Sequence, residues 1–155
     1  MERLYVVGMI CERPFTEIAE HFRKLGGDAV LMDPAYVCGK DHILSAVMHA
    51  ERAFEQGTNR SRTLLTEILL YAAGERQISK AMDKMRPKNG VREIAAAVFG
   101  LTGDLRLDEI NAVPDDTVLK CSPDKLKRMN ISSAHGIPRE DLVLEMVAAV
   151  DIQKQ

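Results

Sequence analysis

The sequence lacks any apolar run long enough to cross a membrane. A membrane-spanning helix needs about 18 or more consecutive, mainly apolar residues, and the longest apolar runs here, such as Leu4–Ile10, are far shorter. No charged segment followed by an apolar one opens the chain, as it would in a secretory signal peptide. We therefore expect a soluble protein without a membrane partner, which works in the cytoplasm and also in the nucleus if its source is eukaryotic.

Cysteines are few, odd in number and far apart. Cys11, Cys38 and Cys121 form no CxxC pair. This pattern argues against a disulfide framework and against a zinc site, and it favours a reducing, cytosolic setting. Cys38 lies near His42 in the sequence and the two can be drawn as a thiol and its base, but a cysteine is more commonly a small buried residue.

The motifs of common enzyme active sites are missing. There is no GxGxxG or GxxxxGK[ST] phosphate loop, no HExxH metal motif and no GxSxG nucleophile motif. His42 and His49 are seven residues apart on one predicted helix and have no acidic or cysteine ally at ligand spacing, and His135 has no visible partner. We therefore expect no catalytic residue, no metal, no cofactor and no small-molecule substrate of the chain's own.

The length allows one domain. With 155 residues, of which 46% are hydrophobic and 28% are charged, the chain can form one core but not two comfortable domains. No internal repeat or low-complexity segment is visible. We expect a single α+β domain over residues 1–155, with a mixed, mostly antiparallel sheet packed with several helices.

The apolar pattern predicts the order of strands and helices. Short runs rich in Val, Ile and Tyr are typical of buried strands, and apolar residues at three- and four-residue steps indicate helices. The expected strands are Leu4–Ile10, 29–32, 94–99 (central) and 118–120. The first expected helices are 14–24, a helix that Asp41 caps and that leads to Thr58, and a helix that runs from Thr58 or Asn59 to Gly74. Further helices are expected at Ile78–Met85, 107–113, 122–129, which begins at Ser122, and 138–152, which Pro138 opens. Residues 133–136 are expected to be loop.

The net charge of −2 conceals a local basic region. Residues 58–93 contain eight Lys or Arg and four Asp or Glu, a net charge of +4, which leaves −6 on the rest of the chain. This charge balance argues against a protein that coats nucleic acid over its whole surface. A discrete anion-binding patch is what such an asymmetry indicates.

Two features of this region favour an anionic partner. Arg76, Lys80 and Lys84 lie four residues apart on one helix face, although each like-charged pair at that spacing destabilises a helix by roughly 0.2–0.5 kcal/mol. Arg60 and Arg62 are expected in the first turn of the preceding helix, where the helix dipole favours anions. A phosphate held by helix amides and arginines would explain both features. The alternative is a solvated face whose cations are balanced by nearby carboxylates.

Glu67 stands among apolar residues of that first helix. An unpaired carboxylate is costly to bury, so we expect Arg60 or Arg62 to partner Glu67 if its side chain is not exposed. An exposed glutamate on the helix surface is an equal alternative.

The last predicted helix, 138–152, is apolar around more than half of its circumference. The residues responsible are Leu142, Val143, Leu144, Met146, Val147, Ala149 and Val150. A helix that packs on one surface of a sheet needs a narrower apolar stripe than this. Such a helix is either deeply buried or shared with a partner, since a large exposed apolar face is normally an interaction site.

Residues 62–82, RTLLTEILLYAAGERQISKAM, resemble the signature of the small accessory subunit of the KEOPS (EKC) complex. The likeness rests on Arg62-Thr63-Leu64, on Thr66-Glu67-Ile68 and on Ile78-Ser79 with Ala81 after a suitable gap. This family includes the eukaryotic kinase-binding protein that pairs with the p53-related kinase. Met85-Arg86-Pro87 stands where family members tend to place a Gly, so the end of the second helix is expected to differ.

The resemblance implies a non-catalytic subunit that binds the kinase-like ATPase subunit of the complex. In archaeal members it also implies recruitment of tRNA by the single-stranded CCA acceptor tail, for threonylcarbamoyladenosine modification next to the anticodon. On this basis we expect the following RNA contacts: phosphates at Arg60, Arg62, Arg76 and Lys80, base or sugar edges at Asn59 and Gln77, and a base packed on Ile78. Single-stranded tails usually stack on aromatic rings or flat apolar surface, but aromatic residues make up only 5% of the chain. Tyr71 is the one aromatic residue inside the signature.

The kinase interface is expected on the terminal helix. The candidate residues are Leu142, Val143, Met146, Val147 and Val150. The rival interpretation is a protein-interaction subunit that regulates the kinase and never contacts RNA. An enzyme that uses Cys38 and His42 is the third alternative.

Overall fold

Four antiparallel strands form one sheet in the computed structural model of the chain, which describes residues 4–132 and 139–153. The strands are β1 (Leu4–Ile10), β2 (Asp28–Met32), β3 (Glu93–Phe99) and β4 (Val113–Pro114). Their order across the sheet is β2-β3-β1-β4. Ala96 of β3 is paired with Val7 of β1 on one side and with Leu31 of β2 on the other. The expected central position of this strand is thus confirmed, as is the single α+β domain with an antiparallel sheet.

Six α-helices surround the sheet within the described residues. They are α1 (Phe15–Lys24), α2 (Lys40–Gln56), α3 (Leu64–Ala73), α4 (Ile78–Met85), α5 (Pro123–Arg128) and α6 (Arg139–Gln153), and 3-10 turns occupy Pro34–Tyr36, Leu107–Ile110 and Asp116–Leu119. The Ser122 side chain caps α5 by accepting from the Lys125 amide, as its position before Pro123 predicts. Gly74 ends α3 in the left-handed conformation, φ +67°, also as expected.

The central strand divides the interior into two cores. Ala95 and Ala97 belong to the core beneath α2, α3, α4 and α6, whereas Ala96 belongs to the core on the α1 side. All three alanines are fully buried. Because successive side chains of a strand point to opposite faces, this run of small residues lets elements pack closely on both faces of the sheet.

Several expected boundaries are wrong. Thr63, not Thr58 or Asn59, caps α3, since its Oγ1 accepts from the Thr66 amide at 3.2 Å. Asp41 lies in the first turn of α2 and Gly39 occupies the cap position. Residues 118–120 are not a strand but overlap the 3-10 turn Asp116–Leu119, and residues 107–113 divide into the 3-10 turn Leu107–Ile110 and the start of β4. The expected loop 133–136, with His135, and the helix start at Pro138 lie outside the described residues.

Cys38 and Cys121 form a disulfide, so the expectation of unpaired cysteines is wrong. The two are 83 residues apart in sequence. The Gly39 amide donates to the Leu119 carbonyl at 2.6 Å, and the Lys125 Nζ donates to the carbonyls of Val37 at 2.9 Å and Val118 at 2.7 Å. These bonds join the two cysteine-bearing segments. The third cysteine, Cys11, is a buried free thiol.

Candidate functional site

The loop that precedes α3 is shaped by the buried carboxylate of Glu67. Glu67 is completely inaccessible to solvent. Its Oε1 accepts from the Ser61 amide at 2.9 Å, the Ser61 Oγ at 2.8 Å and the Arg60 amide at 3.1 Å. Arg60 therefore does meet Glu67, but through its backbone amide. The carboxylate draws the backbone of residues 60–61 inward, while the side chains of Arg60 and Arg62 are exposed.

This arrangement corrects the sequence interpretation of the two arginines. They do not belong to the first turn of a helix, because the α3 helix begins at Leu64. They lie instead on a short loop whose backbone is fixed from inside. Asn59 also helps to hold this loop, since its Nδ2 donates to the Ser61 carbonyl at 2.9 Å.

A second basic group lies at the start of α4. Arg76, Gln77, Ile78 and Lys80 are all exposed, and Ile78 keeps 41% of its surface accessible. Within the described part of the chain, neither Arg76 nor Lys80 has an ion-pair partner. Lys84 differs, because its Nζ lies 2.6 Å from the Glu75 carboxylate and its charge is balanced there. The exposed isoleucine thus stands between two unbalanced cations.

The turn before this group is held tightly. A side-chain carbon added at Gly74 would lie 2.5 Å from the Met146 Cγ on α6, and the positive φ also disfavours other residues. The position of Arg76 relative to α3 is therefore fixed by packing as well as by backbone conformation.

The structure places the predicted RNA contacts in two groups and not in one. Arg60 and Arg62 precede α3, and Arg76 and Lys80 follow it. The 10 residues of α3 span about 15 Å at 1.5 Å per residue. Residues 67–73 of the helix are buried, so the candidate site consists of two exposed groups, one at each end of α3, and not of a continuous surface along the helix.

Three of the five residues expected at the kinase interface are buried within the chain. Val143, Val147 and Val150 have no accessible surface, and Leu142 and Met146 are half-buried. Val147 and Val150 pack in the main core, and Val143 packs with Cys38 and Leu126. This face of α6 holds the helix to its own domain in the described structure.

A polar cluster fixes α6 to the neighbouring helices α2 and α3. The His49 Nδ1 of α2 lies 2.8 Å from the Asp151 Oδ2, the Tyr71 hydroxyl of α3 donates to Asp151, and the His49 and Tyr71 rings are stacked. Burial and the bond to Asp151 raise the pKa of Tyr71 well above its usual value. Beside this cluster, Met48 and Ile152 are 59% and 73% exposed. The sequence pattern missed these two because each lies off the regular apolar stripe of its helix.

His42 and Cys38 do not form a catalytic pair. Cys38 is in the disulfide, and its amide donates to the Nδ1 of His42 at 3.0 Å. The His42 Nε2 lies 2.8 Å from the Ala72 carbonyl, so the ring is the neutral tautomer that donates from Nε2 and accepts at Nδ1. Burial lowers the pKa of His42 to about 4. The third alternative is therefore contradicted.

Neither a metal-binding cluster nor a membrane-spanning helix is present in the described residues. Residues 4–132 and 139–153 contain no group of three or more His, Cys, Asp or Glu side chains arranged to hold a metal ion. In the same part of the chain, no helix has the length and apolarity needed to cross a bilayer.

Comparison with known proteins gives one clear match. The sequence profile of the family described as "Kinase binding protein CGI-121" matches residues 15–147, which is most of the chain. A search of curated proteins found no match.

Proposed function

The chain belongs to the CGI-121 family of non-catalytic, kinase-binding subunits of the KEOPS complex, and on this premise we propose that it also recruits tRNA. It holds the single-stranded CCA acceptor tail between the two ends of α3 while the complex installs threonylcarbamoyladenosine next to the anticodon. The observation that carries the proposal is the pair of exposed basic groups at the two ends of α3, whose cations have no ion-pair partner among the described residues.

The chemistry of these groups suits a single strand. Arg60 and Arg62 contact phosphates at one end, and Arg76 and Lys80 contact phosphates at the other. Ile78, 41% exposed, supplies the apolar surface on which a base packs, and Asn59 and Gln77 bond to base or sugar edges. An extended tail of a few nucleotides spans the distance between the two groups.

The kinase is bound, in our proposal, at the outer surface of α6. The buried residues Val143, Val147 and Val150 seat the helix, and the exposed residues Met48 and Ile152, with the accessible parts of Leu142 and Met146, form the contact. A contiguous exposed apolar surface is the usual mark of an interaction site, and Ile152 and Met48 are the exposed large apolar residues that α6 and α2 offer to it.

The proposal is tested by binding of the purified chain to tRNA with and without its CCA tail, titrated in salt. Tail-dependent binding is expected. The logarithm of the affinity should fall with the logarithm of the salt concentration, with a slope of about −0.7 per phosphate contacted on a single strand. Lys80→Glu should weaken binding and flatten the slope. Lys24→Glu, which changes another exposed helix lysine on the opposite side of the sheet, should change neither. Equal, negligible binding of both RNAs would refute the proposal.

One observation favours the alternative of a kinase regulator without RNA contact. Tyr71, the only aromatic residue inside the signature, is fully buried and cannot stack on a base. Ile152→Glu separates the two interpretations. It should abolish binding to the kinase and leave tRNA binding unchanged, and the alternative is favoured if the wild-type chain binds the kinase but neither RNA.

A further inference from the structure

Two basic segments remain outside the proposed tail-binding surface. Residues 84–92 and 120–128 together contain eight Lys or Arg and a single carboxylate, Asp124, in a chain whose net charge is −2. The cations are Lys84, Arg86, Lys88, Arg92, Lys120, Lys125, Lys127 and Arg128. Lys84, Lys88 and Arg92 are ion-paired with carboxylates outside the two segments. The excess that remains on the other cations in an acidic chain indicates a surface for an anion.

The fold brings the two segments together at Tyr36. The Lys88 Nζ lies 5.8 Å from the centroid of the Tyr36 ring, and the Arg128 Cζ lies 5.9 Å from it. Both distances are within the range of cation–π attraction, about 6 Å. We name Tyr36, Arg86, Lys88 and Arg128 the Tyr36 cluster.

The cations of the Tyr36 cluster are held mainly by groups that carry no net charge. Lys88 donates to the carbonyls of Lys84 at 3.0 Å and Arg86 at 2.7 Å, and Arg128 donates to the Ala35 carbonyl at 3.1 Å. Asp33 approaches Lys88 at 3.5 Å. Arg86 and Arg128 are exposed and have no ion-pair partner among the described residues. Carbonyl oxygens thus order Lys88 and Arg128. Asp33 balances the charge of Lys88, whereas the charges of Arg86 and Arg128 are not balanced by a described carboxylate.

We propose that the Tyr36 cluster binds the phosphate backbone of an RNA duplex, adjoining the single-stranded tail held at α3; this inference rests on the proposed function. Two cations already lie within cation–π distance of the Tyr36 ring, so the cluster offers positive charge ordered beside this ring. Single strands are recognised through their bases, whereas contacts to a duplex are made mostly to its backbone and independently of sequence. A surface of ordered cations therefore suits the duplex.

The placement of α4 supports the continuity of the two surfaces. Ile78 and Lys80 lie at the start of α4, and Arg86 follows its last residue, Met85. The helix has 8 residues, about 12 Å. One RNA whose duplex ends in a single-stranded tail can therefore contact both ends of this helix.

The test measures three RNAs: tRNA, the same tRNA without its CCA tail, and a short single strand that ends in CCA. Arg86→Gln and Arg128→Gln should each weaken binding of both tRNAs by roughly five- to tenfold at 0.1 M salt and flatten the salt slope by about 0.9 per lost contact. Binding of the short single strand should be unchanged. Lys24→Gln is the matched control for charge loss, and Arg128→Lys, which keeps the charge, should retain most of the affinity. Arg86 has no described side-chain bond, so its variant should fold as the wild type does.

Each other outcome is decisive. If the wild-type chain binds tRNA and both Gln variants bind it equally well, the Tyr36 cluster is not an RNA surface and the tail-binding proposal stands. If the variants lose binding to the kinase instead of to tRNA, the cluster contacts an acidic protein surface and the inference is overturned. If the wild-type chain binds none of the three RNAs, both proposals fail.

Discussion

Replacement of Glu67 by alanine should destabilise the domain and release the loop that carries Arg60 and Arg62. Glu67 is fully buried, and two of the donors that it satisfies, the Ser61 amide and the Ser61 hydroxyl, are buried with it. A buried donor left without its acceptor costs about 1–3 kcal/mol. The Ser61 hydroxyl can turn to the Thr63 carbonyl, which lies 3.0 Å away, so the Ser61 amide is the buried donor that loses its acceptor. The expected loss is therefore about 1–3 kcal/mol in the free energy of unfolding, against the roughly 5–15 kcal/mol that holds a typical domain together.

Chemical denaturation at constant pH measures this loss, and two variants serve as controls. Glu67→Gln keeps the shape and one acceptor oxygen, so it should cost less than Glu67→Ala. Asp83→Ala removes an exposed helix carboxylate and should change the stability by no more than about 0.5 kcal/mol. If Glu67→Ala is within about 0.5 kcal/mol of Asp83→Ala, then the carboxylate does not organise the loop. If the Glu67→Ala variant is stable and its tRNA affinity is unchanged, then phosphate binding does not depend on the geometry of this loop.

Two further predictions concern His42 and the disulfide. The pKa of His42 is about 4 in the folded chain and 6.5 in an ordinary residue. As the pH falls, the unfolded chain therefore binds a proton at His42 before the folded chain does. The free energy of unfolding should fall by about 3 kcal/mol between pH 7 and pH 4, since each pKa unit corresponds to about 1.36 kcal/mol. Denaturation curves across this range test it, and a flat profile would contradict it. Closing an 83-residue loop stabilises by at most about 4–5 kcal/mol, so a reductant should destabilise the wild-type chain and have no effect on Cys121→Ser. Equal stability of the wild type with and without reductant would contradict this second prediction.

Local signals in the sequence predicted the regular elements well. The apolar run Leu4–Ile10 forms a strand over the predicted residues, Ser122 with Pro123 begins α5, and Gly74 ends α3. In each case, neighbouring residues alone decide the conformation, through burial of a short run, a side-chain cap or a left-handed glycine.

The predictions were wrong where residues distant in the sequence determine the local structure. Thr58 and Asn59 are good helix caps by composition, but Glu67 binds the backbone of residues 60–61 and delays the helix to Leu64. The Cys38–Cys121 bond joins segments 83 residues apart, and cysteine spacing carries no information on such a pair. The basic residues of the candidate site were visible in the sequence, but their division into groups, and the meeting of Lys88 with Arg128 at Tyr36, depend on tertiary packing.

The strand order has a consequence for the way the chain is made. During synthesis β1 and β2 appear first, yet the strand with which each forms most of its pairs is β3, which begins only at Glu93. Pairings so distant in sequence form slowly. Until residue 99 has left the ribosome, both early strands have unpaired edges, and such edges are open to association with other chains. The two early strands are therefore joined by insertion of β3 between them, and β4 is added to the free edge of β1 afterwards. A chain that stops before residue 93 has no means of joining β1 and β2 in the native arrangement.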